Sequence, residues 1–195
     1  MLANVFKIIV LYLLVNNYVF GQFLGLCPLI GVSSKTETAI GMGMAVFFVI
    51  TIASVVTYVL QIQILERFHI EYLQTIVFIL VIATLVQFVE MALKKMSPNL
   101  YSALGVFLPL ITTNCIVLGV ALANVKEKYN LIETLASAIG ASLGFILAIT
   151  LLSAIRERIA LNKNIPESFK GVPIAFITIG SVSYTHLTLP TTPYV

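Results

Sequence analysis

The sequence predicts an all-α fold, a polytopic bundle of helices that crosses a membrane several times. Of its 195 residues, 59% are hydrophobic and only 10% are charged, whereas a soluble domain carries about 25% charged residues. A helix needs roughly 20 mostly apolar residues to span a bilayer core, and stretches of about this length recur between short polar joints. Because lipid offers the backbone no hydrogen-bond partner, each stretch should be helical.

Six apolar segments can be marked. They cover residues 5–32, 40–60, 73–93, 104–123 and 135–155, with a sixth that begins near Val172. The first segment has no small-residue cleavage site behind it, so we interpret it as a membrane span and not as a removable signal. The domain prediction is a single integral membrane domain over residues 1–181.

The sixth segment is expected to be truncated. Only the ten residues 173–182 precede a polar stretch, and a helix of that length covers about 15 Å of a core about 30 Å thick. Residues 182–195 resemble a translated transposase adapter from sequencing-library preparation, and we expect them to be a non-native tail. The last helix should therefore be short or frayed, with an irregular tail beyond about Val182.

The distribution of positive charge predicts the orientation. Seven of the 11 Lys and Arg residues follow the first, third and fifth segments, and four lie on the opposite side. By the positive-inside rule, the N-terminus is outside the cell and the odd-numbered loops are in the cytoplasm. The net charge of +3 gives no indication of a nucleic-acid partner.

An internal repeat relates the two halves of the chain. The pattern of residues 39–54 recurs over 138–153, and a Glu-Thr pair precedes each copy, at 37–38 and at 133–134. With three segments per half, the halves must have opposite topology, as in inverted-repeat transport proteins, whose sites lie near the midplane on interrupted helices. The alternative is a chance likeness between two apolar helices.

The first and fourth segments are interrupted. Pairs at 16–17, 21–22 and 27–28 break the first, and Pro109, residues 112–115 and Gly119 break the fourth. Proline frees backbone groups that need partners, which Asn and Thr side chains can supply. Ordinary hydrogen bonding between helices would explain these polar residues equally well.

The two cysteines, Cys27 and Cys115, lie one in each interrupted segment. A buried free cysteine usually acts as a small hydrophobic residue, and no C-x₂-C motif is present. Thiolates nevertheless suit iron–sulfur clusters, which normally take four. A cluster here would use Cys27 and Cys115 and would need two further thiolates from a partner. We assign no catalytic residue, because no nucleotide, phosphate or hydrolase motif appears.

Several stretches resemble the A subunit of the Rnf complex, the ion-translocating ferredoxin:NAD oxidoreductase. The resemblance covers most of residues 10–180, and the two cysteine motifs are its most specific part. A paralogous subunit of the sodium-pumping NADH:quinone oxidoreductase is similar. The stretches that carry the resemblance are 23–28, 31–33, 37–39, 78–83, 107–115 and 155–158.

The resemblance implies six helices in two inverted three-helix repeats, with interrupted first and fourth helices. It also implies an intramembrane [2Fe–2S] cluster, bound by Cys27 and Cys115 together with a paralogous sister subunit of opposite topology. Electrons would cross the bacterial inner membrane through this cluster while sodium ions or protons are moved. Catalytic flavins and nucleotide sites would belong to other subunits. The inverted repeat alone would equally allow a non-redox ion or solute transporter, and a structural scaffold subunit is a third possibility.

Overall fold

The computed structural model describes residues 2–65, 67, 71–96, 109–161 and 166–191, and every regular element in these ranges is helical. Short 3₁₀ turns lie at Glu71–Leu73 and Glu167–Phe169. In chain order the helices are α1 (Leu2–Val10, continued by a π-helical turn over Leu11–Val15), α2 (Tyr18–Gln22), α3 (Leu26–Val32), α4 (Thr36–Leu60, continued by a π-helical turn over Gln61–Leu65), α5 (Gln74–Met96), α6 (Pro109–Thr112), α7 (Cys115–Lys126), α8 (Leu131–Ala160) and α9 (Val172–Thr191).

Three of these helices are long and apolar enough to cross a membrane unaided, namely Thr36–Leu65, Gln74–Met91 and Leu131–Ala160. They correspond to the second, third and fifth predicted segments. The first predicted segment is divided into α1, α2 and α3, and the described part of the fourth is divided into α6 and α7. The prediction of an all-α membrane bundle with interrupted first and fourth segments is confirmed. Residues 104–108, the start of the fourth segment, lie outside the described ranges.

Helices α4 and α8, the two copies of the repeat, pack against each other at the centre of the bundle. The Oγ1 of Thr36, at the start of α4, lies 3.2 Å from the Oγ of Ser153, near the end of α8. Further along, Gly43 faces Ile146, so closely that an added Cβ would lie 2.9 Å from its side chain. From the first contact to the second, the residue number in α4 increases and the residue number in α8 decreases, so the two helices run antiparallel. Repeats of opposite topology require this arrangement.

At one point of the α4–α8 pair, two residues that are equivalent in the repeat face each other. The offset of 99 residues pairs Ala45 with Gly144, and the antiparallel register places these two positions opposite each other. Both are buried, and small residues allow close approach of two helix backbones. A Cβ on Gly144 would lie 3.0 Å from both the carbonyl oxygen of Tyr12 and the Nδ2 of Asn17. The pseudo-two-fold axis therefore passes beside the first break of the chain.

The expectation of a short or frayed last helix is wrong, because α9 is continuous over 20 residues, from Val172 to Thr191. The hydroxyl of Thr185 donates to the carbonyls of Ser181 and Val182, at 3.2 and 2.8 Å. The Thr185 hydroxyl is thus satisfied by the backbone of its own helix, so this polar side chain does not end the helix. Pro190 lies one residue before the end and affects only the last turn.

Tertiary contacts also support the end of α9. The His186 ring packs on Phe20 of α2, with ring centroids 5.2 Å apart, and Ser183 is buried. A helical conformation does not bear on the origin of the codons, so the non-native origin of residues 182–195 stays a prediction.

Substitution of Gly144 should show how closely the first break packs against α8. We expect Gly144→Ala to destabilise the protein by about 1–3 kcal/mol, as overpacking typically does, because the new methyl group would press on a backbone carbonyl and on Asn17. Gly180→Ala is the matched control, since nothing lies within 4 Å of a Cβ at that position of α9. Thermal unfolding in detergent measures both. Equal unfolding midpoints for the two variants would contradict this close packing of the first break on α8.

Candidate metal centre

The first break is capped by the side chain of Asn17. The π-helical turn before it ends with a hydrogen bond of 2.6 Å from the amide of Asn16 to the carbonyl of Leu11. Asn17 is 1% exposed, and its Oδ1 accepts from the amide of Val19, at 3.0 Å, to begin α2. Its Nδ2 donates to the carbonyl of Gly144, at 3.0 Å. One side chain thus replaces hydrogen bonds that an unbroken helix would have made for itself.

The stacked rings of Tyr12 and Tyr18 bridge this same break. Their centroids are 5.3 Å apart and their planes differ by only 5°. The hydroxyl of Tyr12 also lies 3.2 Å from that of Tyr129, between α7 and α8. The stacking fixes how α2 continues from α1, and the hydroxyl contact ties the break to the second half of the bundle.

The second break, between α2 and α3, depends on a glycine. Phe23 and Gly25 both have left-handed backbones, with φ of 55° and 79°. An added Cβ on Gly25 would lie 3.1 Å from the Phe145 ring and 3.3 Å from the Oδ1 of Asn114. Left-handed geometry and lack of space both favour glycine at this position.

The third break, between α6 and α7, repeats the capping of the first. Asn114 is 4% exposed, and its Oδ1 accepts from the amide of Ile116, at 3.3 Å. The residue that follows the cap is Cys115, where the first break has Tyr18. Cys27 instead lies in the first turn of α3, beyond the second break. The two cysteines therefore occupy different positions of the repeat.

Gly25 is the point at which the two cysteine segments meet. Its amide donates a hydrogen bond of 2.9 Å to the Sγ of Cys115. Cys27 follows two residues later, so its Cα lies at most about 7 Å from that of Gly25. Cys27 is exposed on the surface of the bundle and Cys115 is half-buried. The fold thus brings both predicted site residues to one place, close to the bundle surface.

The site lies midway along the central helix. Asn17 bonds to Gly144 and Gly25 packs on Phe145, and these two α8 residues stand near the middle of the 30-residue helix Leu131–Ala160. At 1.5 Å per residue, each end of α8 is roughly 20 Å away along the helix axis. A helix of this length is long enough to span the membrane, and the cysteines lie near the middle of its length.

Arg156 anchors the far end of the cysteine-bearing helix α3. Its Nη1 donates to the carbonyl of Ile30, at 2.8 Å, and to the Oγ of Ser33, at 2.6 Å. The next residue, Glu157, accepts from the amide and hydroxyl of Thr36, at 2.8 and 2.7 Å, at the start of α4. The last turns of α8 therefore hold α3 and α4 together. Arg156 and Glu157 follow the predicted fifth apolar segment, which ends at residue 155, but helix α8 continues through them to Ala160.

The donor set suits half of an iron–sulfur site. The Gly25 amide donates to the sulfur of Cys115, Cys27 follows two residues later in the chain, and hydrogen bonds of this kind are typical around cluster ligands. Within the described ranges, no group of three or more His, Cys, Asp or Glu residues is placed to hold a metal. The residues present fit a cluster with four thiolate ligands only if another chain supplies two of them.

Comparison with known proteins identifies the family of the chain. The family model described as "Rnf-Nqr subunit, membrane protein" matches residues 5–192. The chain belongs to the Rnf-Nqr family. The A subunit of the Na(+)-translocating ferredoxin:NAD(+) oxidoreductase complex from Acetobacterium woodii is 56% identical over 173 residues, which cover 89% of this chain and 90% of that protein.

Two further relatives, each named as the A subunit of an ion-translocating oxidoreductase complex, are equally similar. The Syntrophotalea carbinolica protein is 54% identical over 179 residues, covering 92% of each chain. The Aliivibrio salmonicida protein is 58% identical over 170 residues, covering 87% of this chain and 88% of its own. The resemblance to the A subunit of the Rnf complex is confirmed, and with it the assignment to a multi-pass membrane protein family.

Some features of the site were visible in the sequence and others were not. The breaks and both cysteines stand out as polar or proline-containing interruptions of apolar segments. The roles of Gly25 and Arg156 depend on contacts with residues about 90 and 126 positions away, so no local pattern identifies them. Asn17 and Asn114 act as equivalent caps. An alignment of the interrupted first segment with the interrupted fourth segment, instead of an alignment of the long helices, could have shown this.

The anchoring of α3 is open to test through Arg156. We expect Arg156→Gln to lower the free energy of unfolding by about 1.5–3 kcal/mol, the contribution of one hydrogen bond from a charged group, because the shorter glutamine can keep at most one of the two acceptors. Arg158→Gln is the control, since Arg158 is exposed on the same turn. Thermal unfolding and the rate at which Cys27 and Cys115 react with a thiol reagent measure the effect. Identical behaviour of the two variants would argue against the anchor.

Proposed function

We propose that this chain is a membrane component of an ion-translocating oxidoreductase complex, in which it carries electrons through an intramembrane iron–sulfur cluster. The electrons would pass between ferredoxin and NAD, as the name of the Acetobacterium woodii relative indicates for that complex. The bound cluster would accept and release one electron at a time. The catalytic flavin and nucleotide chemistry would lie in other subunits.

The meeting of Cys27 and Cys115 at Gly25 is the observation that carries this proposal. The two thiols come from separate breaks, and the amide of Gly25 bonds to one of them. A structural role alone would not require two broken helices to bring their cysteines together. A non-redox transporter of the same architecture would need the breaks but not the thiols.

Exposure of Cys27 supports a cluster shared with a second chain. Cys27 faces outward from the bundle, while Cys115 is half-buried behind it. A [2Fe–2S] cluster takes four thiolates, and this chain has two cysteines. The missing pair would come from a paralogous sister subunit of opposite topology, packed against the face that presents Cys27.

The depth of the site fits a role in electron transfer. A hydrocarbon core about 30 Å thick is a long gap for electrons to cross, and a redox group midway along α8 divides it into two shorter steps. The residues of this chain would hold the group by thiolate ligation, orient it through the Gly25 amide, and keep α3 in place through Arg156.

We assign the protein to the bacterial inner membrane, with the N-terminus outside and Lys35 in the cytoplasm. The uneven distribution of Lys and Arg supports this orientation. Lys35 lies between α3 and α4, and Lys94 and Lys95 lie in the last turn of α5. Lys163 lies outside the described residues.

The cluster assignment predicts loss of a spectroscopic signal. In the purified complex, Cys27→Ser and Cys115→Ser should each abolish one intramembrane cluster signal in electron paramagnetic resonance, because serine cannot replace a thiolate ligand effectively. Thr113→Ser, beside the same break as Cys115, should keep the signal. A signal of unchanged intensity in either cysteine variant would refute the assignment.

The orientation predicts the location of fused reporters. Fusions after Lys35, Lys95 and Lys163 should all report the cytoplasm, and a fusion at the N-terminus should report the periplasm. If two of the three lysine fusions report the periplasm, the orientation is reversed.

A further inference from the structure

The two asparagine caps use the same hydrogen bond to begin their helices. Asn17 accepts from the amide two residues ahead, and so does Asn114. Both side chains are at least nine-tenths buried. In each, the bonded Oδ1 fixes the plane of the side-chain amide, so the direction of the Nδ2 donor is also fixed.

The caps differ in the hydrogen bonds made by the side-chain nitrogen, Nδ2. The Nδ2 of Asn17 donates to the carbonyls of Gly144 and Leu13, at 3.0 and 3.3 Å. The Nδ2 of Asn114 is buried and has no acceptor among the described residues. A buried donor without a partner is unfavourable, and the matching cap in the same chain shows that the fold can supply one.

Asn114 lies beside the sulfur of the candidate site. It directly precedes Cys115, and its Oδ1 lies against Gly25, the residue whose amide bonds to the Sγ of Cys115. Sulfur atoms of an iron–sulfur cluster and of its thiolate ligands accept hydrogen bonds, and such bonds set the reduction potential.

We infer that the side-chain amide of Asn114 donates a hydrogen bond to the thiolate sulfur of Cys115 when that sulfur binds the cluster, and thereby raises the reduction potential of the cluster. The inference rests on the proposed function. Reduction adds one electron to the cluster and so increases the negative charge on its sulfurs. A donor therefore stabilises the reduced form more than the oxidised form. Asn17 cannot act in this way, because its amide is already bonded to backbone carbonyls.

Matched substitutions of the two caps test this inference. Serine keeps an oxygen that can cap a helix but lacks the amide donor. In the purified complex, Asn114→Ser should retain the cluster signal and lower its midpoint potential, with about a tenfold change in the ratio of oxidised to reduced cluster, which is about 59 mV for one electron. Asn17→Ser should leave the potential unchanged. Redox titration followed by electron paramagnetic resonance measures both.

A second measurement does not depend on a stable variant. In the wild-type complex labelled with ¹⁵N-asparagine, the reduced cluster should show a hyperfine coupling to a side-chain amide nitrogen. Asn114→Thr, which also keeps a capping oxygen, should lose this coupling if it assembles.

The outcomes separate the inference from the proposed function. A wild-type complex without any intramembrane cluster signal would overturn both. A normal signal with an unshifted potential in Asn114→Ser, or equal shifts in Asn114→Ser and Asn17→Ser, would overturn the inference alone. Absence of an asparagine coupling in the labelled wild type would do the same.

Discussion

The hydrocarbon core contains no water, so every interruption of a helix there must be satisfied from within the protein. The described breaks in this chain find partners for backbone groups at their new helix starts. Asn17 and Asn114 cap two of the new helix starts. At the break between α2 and α3, Gly25 takes a left-handed backbone, and its amide bonds to the sulfur of Cys115. Because this break uses the sulfur of Cys115 as its acceptor, the same contact also positions a cysteine of the candidate site.

The central pair α4 and α8 sets where the breaks can lie. Because the two helices run antiparallel and are related by the repeat, one point of the pair faces its own counterpart, at Ala45 and Gly144. Small residues there leave room for a third element, and the polypeptide around Tyr12 and Asn17 occupies it. The first break therefore sits at the symmetry axis, midway along α8. Inverted repeats place their sites near the midplane for this geometric reason.

Much of the fold was predictable because the membrane imposes a simple length and composition rule on each span. Segment positions followed from hydropathy, and the breaks followed from Asn, Gly and Pro within apolar stretches. The end of α9 was mispredicted, because a count of polar residues ignores that the Thr185 hydroxyl can bond to the backbone of its own helix.

The single offset of the repeat does not apply to every part of the two halves. Helix α8 begins about one turn earlier than α4 relative to the shared Ala-Ile-Gly pattern, so the Glu-Thr pairs and the cysteines do not share the offset of the long helices.

The unequal placement of the cysteines has a physical consequence for the site. If both followed equivalent caps, the pseudo-two-fold axis would place them symmetrically, on opposite sides of the α4–α8 crossing. Instead, Cys115 follows a cap while Cys27 follows the additional break at Phe23–Gly25, where the Gly25 amide bonds to the sulfur of Cys115. That extra break removes the internal symmetry and brings both thiols to one side of the bundle, with Cys27 facing outward. A site gathered on one side and open at the surface is suited to completion by a second chain, whereas a symmetric site on the axis would be enclosed within this one.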